Sequence, residues 1–213
     1  MSRARILMAD DHRMLAEGLR SLLEPAYELS EIVEDGRQLV EAALRLQPDV
    51  IVADISMPQL NGLDAIVQIR RAGCQAKIIF LTMHCDALYA VRAIRAGASA
   101  YVLKQSAGTE LLTAIREALA GGTYLAPALA DAVARTLTSE PAHAPDEPLL
   151  TPRQREVLQL FAEGHSAKEV AGSLNISVRT AENHKAQIMR LLGATSTADL
   201  VQCAIRHGLI ASS

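Results

Sequence analysis

Between residues 5 and 119, short apolar runs alternate with stretches of helical periodicity, and each apolar run stops on a polar residue. Arg5-Ile6-Leu7-Met8-Ala9 runs into Asp10-Asp11, and Leu29 to Val33 closes on Glu34-Asp35-Gly36. Val50-Ile51-Val52-Ala53 ends in Asp54, Lys77 to Leu81 in Thr82, and Ala100 to Leu103 in Lys104. Such brief runs, bounded by turn residues, predict strands buried on both faces. Between them, Met14 to Leu23, Leu39 to Leu46, Leu63 to Arg71, Ala87 to Arg95 and Leu111 to Leu119 carry apolar residues at helical spacing. Pro48, Gly73, Gly97 and Gly121-Gly122 punctuate the ends of those helices. Five strands alternating with five helices imply an α/β fold: a parallel sheet, doubly wound, with helices on both faces.

The rest of the chain has a different pattern. The periodicity allows one short helix, Leu129 to Leu137. Residues 138 to 148 then hold Pro141, Pro145 and Pro148 with no apolar pattern, and read as a mobile, extended linker. Beyond it four helices are expected. Thr151 is a candidate N-cap, Pro152 suits the first helical position, and Gln154 completes a capping box. Ser166 and Glu169 form a second box, and Gly164 ends the first helix. Asn175-Ile176-Ser177 turns the chain, Ser177 caps Val178 to Leu192, Gly193 stops that helix, and Ser196 to Arg206 is the last. The expected division is a first domain over 1–121, a connection over 122–148, and an all-α four-helix domain over 149–213.

No apolar run reaches membrane-spanning length, and nothing suggests export. Cys74, Cys85 and Cys203 are scattered, as free thiols in a reducing cytoplasm would be.

In an open parallel sheet, chemistry sits outside the carboxyl ends of the strands. Asp10, Asp11, Asp54, Thr82 and Lys104 all fall there. Three carboxylates at one sheet edge repel each other unless a hard cation joins them, and Mg²⁺ suits an all-oxygen set. A carboxylate also serves as a nucleophile toward phosphorus, with an amine and a hydroxyl to hold the phosphoryl oxygens. Each residue alone reads more simply, as a turn, a cap or a solvated end.

In the C-terminal part, the helix from Ser166 to Leu174, a three-residue turn and the helix from Val178 make a helix-turn-helix. Ala171, Leu174, Ile176, Ala181, Ile188, Leu191 and Leu192 supply a packed side. Asn183 and Gln187 lie four apart on the other side, where amides suit adenine edges in a major groove. Arg179, Lys185 and Arg190 suit phosphates. An ordinary exposed helix would show much of this as well. Residues 149–213 hold seven Lys and Arg against five Asp and Glu, in a chain of net charge -3. An excess that small predicts weak binding by one copy and better binding by two.

Residues 3 to about 120 resemble the receiver domain of bacterial two-component response regulators. The resemblance rests on Asp10-Asp11, Asp54-Ile55-Ser56-Met57-Pro58 with Asn61-Gly62, Leu81-Thr82, Gly97-Ala98 and Tyr101-Val102-Leu103-Lys104. It implies a flavodoxin-like five-stranded sheet with Asp54 as phosphoacceptor. Asp10, Asp11, Asp54 and the Ser56 backbone carbonyl would bind Mg²⁺ (or Mn²⁺). Thr82 and Tyr101 would be the switch pair, the hydroxyl moving to the phosphoryl group and the ring turning inward. Lys104 would pair with the phosphate, although Gln105 follows it where a proline or small residue is usual. His84, two residues after Thr82, reads as a solvent-facing loop residue, with a role in phosphate lifetime as the alternative.

Residues 149 to 210 resemble the LuxR-type (NarL/FixJ-type) DNA-binding domain. The matching runs are Leu150 to Leu158, Gly164-His165-Ser166-Ala167-Lys168-Glu169-Val170-Ala171 and Ser177-Val178-Arg179-Thr180-Ala181-Glu182-Asn183-His184. Gln154, Ala167, Ala181 and Leu191-Leu192 depart from the usual Glu, Asn, Val and Lys-Leu. The resemblance places Arg179, Thr180, Glu182, Asn183, Lys185, Ala186, Gln187 and Arg190 at the DNA, with Glu182, Asn183 and Ala186 nearest the bases. His184 reads equally as structural or as a phosphate contact. Thr197 to Arg206 would pair two DNA domains.

Together these imply a cytoplasmic transcription regulator, not an enzyme beyond phosphoryl uptake and slow self-dephosphorylation. A sensor histidine kinase would be its donor, and a homodimer on paired half-sites of promoter DNA its active form. One alternative is constitutive DNA binding with the first domain reduced to a dimerisation module. Another is an aspartyl phosphatase resembling the haloacid dehalogenases, which need a second Asp two residues after the nucleophile, where this chain has Ser56.

Overall fold

The computed structural model describes residues 3–138 and 150–210. The chain divides into two compact units. The first is built on strands β1 (Arg5–Ala9), β2 (Glu28–Val33), β3 (Val50–Ala53), β4 (Lys77–Thr82), β5 (Ala100–Leu103) and β6 (Tyr124–Leu125). They form one parallel sheet in the order β2-β1-β3-β4-β5-β6. Helices α1 (Arg13–Leu23), α2 (Gly36–Leu46), α3 (Gly62–Arg71), α4 (Ala87–Arg95) and α5 (Ala107–Leu119) connect the strands, and α6 (Pro127–Thr138) follows β6.

Alternation along the strands divides the core. Ile6, Met8, Val50, Val52, Ile79, Leu81, Ala100 and Val102 pack against Leu19 and Leu23 of α1 and Leu111, Ala114, Ile115 and Ala118 of α5. The intervening residues Leu7, Ile51, Ile78, Phe80 and Tyr101 are equally buried and point to the opposite face. Burial on both sides explains why the strands read as continuous apolar runs rather than alternating ones.

The sheet carries the first unit past residue 121. Tyr124 and Leu125 pair with Ala100 and Tyr101, a two-residue strand too short for any periodicity to announce. The short helix expected at Leu129 to Leu137 is Pro127–Thr138, with Leu129 and Val133 buried and α4 as its packing partner. α5 begins at Ala107, earlier than its apolar pattern suggests, because a 3-10 turn over Lys104–Ser106 leads into it. Residues 139–148 of the expected linker lie outside the described residues.

The second unit consists of α7 (Pro152–Ala162), α8 (Ala167–Leu174), α9 (Val178–Leu192) and α10 (Thr197–Arg206). Its core joins Val157, Leu158, Leu160 and Phe161 of α7 to Val170, Leu174, Ala181, Ile188, Leu200 and Ala204. Both expected capping boxes form, Thr151 with Gln154 and Ser166 with Glu169. Asn175 ends α8 in the left-handed region at φ 52°, which turns the chain sharply into α9. Ser177 then accepts a hydrogen bond from the Thr180 amide at 3.0 Å.

A third box, Ser196 with Asp199, opens α10. The Asp199 carboxylate accepts from the Thr195 amide at 2.7 Å, the Thr195 hydroxyl at 2.8 Å and the Ser196 amide at 2.9 Å. These bonds, the Thr195 amide foremost, hold its pKa below the ordinary 3.8. A carboxyl lowered in the folded state contributes stability that is complete above its unfolded value and lost as pH falls through the folded one. The urea midpoint of Asp199→Asn, followed by far-UV circular dichroism, should therefore lie below wild type at neutral pH. The gap should close as the pH is taken below 3.8. A gap that persists in acid would mean that Asp199 acts through something other than its charge.

Candidate functional site

Sheet register assembles the first site. Ala9 pairs with Ala53, so the next residues, Asp10 and Asp54, stand side by side at the carboxyl edge. Thr82 pairs with Leu103, which brings Lys104 to the same edge. The order of strands reverses around β1, and in open α/β sheets such a switch point leaves a crevice beyond the strand ends.

Lys104 joins the two acids. Its ammonium donates to Asp54 Oδ2 at 2.7 Å and to Asp10 Oδ1 at 3.0 Å. All three side chains are buried, at 4% exposure or less. Asp54 Oδ1 accepts from the Ile55 amide at 2.6 Å and the Ser56 amide at 3.3 Å. Burial pushes the Asp54 carboxyl above its ordinary range, and Lys104 pulls it back without cancelling the rise. Burial likewise works against the Lys104 ammonium, but Asp54 and Asp10 more than offset it, so lysine stays charged to higher pH than usual. Asp11 is more exposed and faces His12, whose Nδ1 lies 2.8 Å away.

Ligand atoms of Asp10, Asp11, His12 and Asp54 all lie within 4.8 Å of one another. Asp10 Oδ2 is buried and accepts no hydrogen bond. It is 2.9 Å from Lys104 Nζ, close enough for charge attraction but off the hydrogen-bonding direction. A buried carboxylate oxygen left this way is costly, and a divalent cation would satisfy it. The donor set is therefore compatible with a divalent cation.

Thr82, expected beside this cluster, is fully buried and its hydroxyl accepts from the His84 amide at 3.2 Å. Tyr101 is also buried, its ring turned inward and its hydroxyl donating to the His84 carbonyl at 2.8 Å. Burial raises the phenol pKa well beyond the working range, so this group remains a donor. The reading of His84 as a solvent-facing loop residue needs correction. It is half-buried, its Nε2 pairs with Ser56 Oγ at 2.7 Å, and its ring stacks on Tyr89 with centroids 4.1 Å apart. Burial lowers its pKa, which favours the neutral ring. Nothing in the spacing of residues 82–84 signals this, because Tyr89 comes from the next helix.

Asn61-Gly62 has a geometric reason. Asn61 is buried and caps α3, accepting from the Asp64 amide at 3.0 Å while its amide donates to Asp64 Oδ2 at 2.9 Å. The Gly62 amide donates to the Ile55 carbonyl at 2.8 Å. A Cβ on Gly62 would collide with the Asp54 carbonyl oxygen.

The second site is the outer face of α9. Arg179, Glu182, Asn183, Ala186, Gln187 and Arg190 are exposed, and Thr180 and His184 are half-buried. Lys185 is also half-buried, because its ammonium sits 4.6 Å from the centroid of the Phe161 ring. The predicted face is thus exposed except at Thr180 and at Lys185, which leans back onto α7.

A parallel sheet with an acid–lysine pocket at its carboxyl edge, carried on one chain with a capped helix-turn-helix, has the architecture of a receiver domain joined to a DNA-binding domain. Residues 6–116 match the response regulator receiver domain, and residues 148–204 match the bacterial regulatory proteins of the luxR family. The transcriptional regulatory protein MctR of Rhizobium johnstonii is 35% identical over 97% of this chain and 95% of its own length. A structure of RcsB from Salmonella enterica serovar Typhimurium, bound to a promoter in the presence of the phosphomimetic BeF3−, covers 94% of this chain. It covers 97% of the RcsB chain, with 28% identity and a TM-score of 0.59. Another, of two RcsB dimers bound to two parallel DNAs, covers 96% of this chain and all of its own, with 26% identity and a TM-score of 0.59. The chain belongs to the two-component response regulators with a LuxR-type DNA-binding domain.

Gly62→Ala provides a test of the pocket's construction. At an ordinary first-turn helix position the change stabilises by up to about 1 kcal/mol. Here the forced shift of the Asp54 backbone should reverse the sign, costing roughly 1–3 kcal/mol in the tyrosine-monitored urea transition. A stabilised variant would show that the close approach is not tight.

Proposed function

We propose that Asp54 is the phosphoacceptor and that its phosphorylation by a sensor histidine kinase controls promoter binding. The observation that carries this reading is the buried Asp54–Lys104–Asp10 group at the switch point of the sheet. An Asp54 carboxylate oxygen forms a bond to phosphorus as the bond from phosphorus to the donor breaks. Lys104, already 2.7 Å from Asp54, is placed to hold a phosphoryl oxygen by charge and hydrogen bond. Asp10, Asp11, Asp54 and the Ser56 carbonyl would hold Mg²⁺ (or Mn²⁺). The cation supplies positive charge against the oxygens of the incoming group.

Thr82 is one strand away from Asp54, and its hydroxyl would turn to the phosphoryl group. Its present bond is with the His84 amide, and Tyr101 is tied to the carbonyl of the same residue. Movement at Thr82 therefore reaches Tyr101 through one residue, and reaches α4 through the His84–Tyr89 stack. The inward Tyr101 ring is the arrangement expected of the activated form.

At the other end, the exposed amides of Asn183 and Gln187 would read adenine edges, with Glu182 and Ala186 beside them. Arg179, Thr180 and Arg190 would meet the phosphates, joined by Lys185 if it leaves Phe161. The small basic excess favours a homodimer on paired half-sites, as in the RcsB dimers on DNA. Among the described residues no helix is long and apolar enough to cross a membrane. The reading places the protein in the cytoplasm, with its kinase and its DNA.

Intact-mass spectrometry after incubation with a small phosphodonor and Mg²⁺ tests the assignment. Wild type should gain one phosphoryl group and Asp54→Asn none. A gain that survives in the variant would assign the acceptor elsewhere.

A further inference from the structure

We propose that His12 supplies a nitrogen ligand to the cation at this pocket, so that the pocket prefers a first-row transition ion over Mg²⁺. The inference rests on the reading of Asp10, Asp11 and Asp54 as the cation site given above.

His12 stands at the N-cap position of α1, yet its side chain makes no cap hydrogen bond. The ring turns instead to the pocket. Its Nδ1 lies 2.8 Å from Asp11 Oδ1, 3.1 Å from Asp10 Oδ1 and 3.4 Å from Lys104 Nζ. The backbone assists, since the His12 amide donates to the same Asp10 Oδ1 at 2.9 Å, which fixes the turn that aims the ring. Nδ1 thus belongs to the set of ligand atoms that fit within 4.8 Å of one another.

Asp10 itself keeps one oxygen available to a cation. Asp10 is 2% exposed, and its Oδ2 accepts no hydrogen bond although Lys104 is near. Lys104 Nζ lies 2.9 Å from Asp10 Oδ2 and His12 Nδ1 lies 3.1 Å from Asp10 Oδ1, so ammonium and ring meet the same carboxylate. With its proton on Nε2, the ring would present the Nδ1 lone pair to the same place.

The chemistry of the ligand set then decides the metal. Mg²⁺ keeps to oxygen donors and sheds its waters reluctantly, so an imidazole adds little to its binding. Affinity of a mixed nitrogen and oxygen site rises from Mn²⁺ through Co²⁺, and imidazole suits the later ions best. With His12 the pocket offers three carboxylates and an imidazole. Without it, only the oxygens remain.

Calorimetric titration of the full chain with MgCl2, MnCl2 and CoCl2 separates the possibilities, using wild type, His12→Ala and Asp54→Ala. His12→Ala should weaken Co²⁺ binding by about tenfold or more, a typical loss for a removed metal partner, and leave Mg²⁺ within about twofold, as expected for an ion that ignores the imidazole. Spin-echo spectra of bound Mn²⁺ should show nitrogen modulation in wild type that disappears in His12→Ala. An unchanged urea midpoint would confirm that the variant is folded, as expected for a largely exposed side chain with no cap bond. Equal losses for Mg²⁺ and Co²⁺, or no nitrogen modulation in wild type, would overturn the role of His12 and leave the cation site standing. Binding of every ion unaltered in Asp54→Ala would overturn both the cation site and the inference.

Discussion

Two ionised carboxylates buried side by side repel each other strongly unless a positive charge lies between them, and the receiver half of this protein is built around that constraint. Asp10 and Asp54 are 2% and 3% exposed, and Lys104 bridges them. A buried ion pair of this kind is weak evidence for stability, because desolvation offsets much of the attraction. Its consequence lies in charge balance instead. A group of two acids and one amine is compatible with a divalent cation, and on the proposed reading it is the place where the anionic phosphoryl group would be held. The sheet exists in a form that makes this possible. Parallel strands in the order β2-β1-β3-β4-β5 put the ends of β1, β3 and β5 around one crevice, and the β4 end beside them.

The same edge connects charge to shape. Thr82, Tyr101 and Ser56 all meet at His84, through its amide, its carbonyl and its ring. His84 in turn stacks on Tyr89 of α4, and α4 packs on α6. A change in hydrogen bonding at Asp54 therefore has a contiguous route along the β4–α4 loop to the helices that end the receiver. The route consists of hydrogen bonds, one ring stack and helix packing.

Much of this was legible from residue order. The strands ending in Asp10, Asp54, Thr82 and Lys104 could be read from apolar runs because burial on both faces leaves no polar interruption. The helix-turn-helix could be read from Thr151, Ser166 and Ser177, since capping is local and leaves its signature within a few residues. What escaped depends on contacts between distant residues. β6 has two residues and exists only because Tyr124 and Leu125 find the edge of β5. The role of His84 needs Ser56 from one loop and Tyr89 from the next helix. Gly62 looks like an ordinary glycine until the Asp54 carbonyl is found against it. Lys185 reads as a phosphate contact by charge alone, whereas Phe161 of α7 holds it by its ring.

The central claim is that charge at Asp54 governs DNA binding. It is tested most directly by selecting genomic DNA fragments with the purified full chain at one fixed salt concentration. Wild type and Asp54→Asn would be compared, each with and without a small phosphodonor and Mg²⁺. The account predicts enrichment of a paired motif by wild type only when the donor is present, and none by the variant. Equal enrichment in all four samples would contradict it, leaving a DNA-binding protein whose acidic pocket does not control its output.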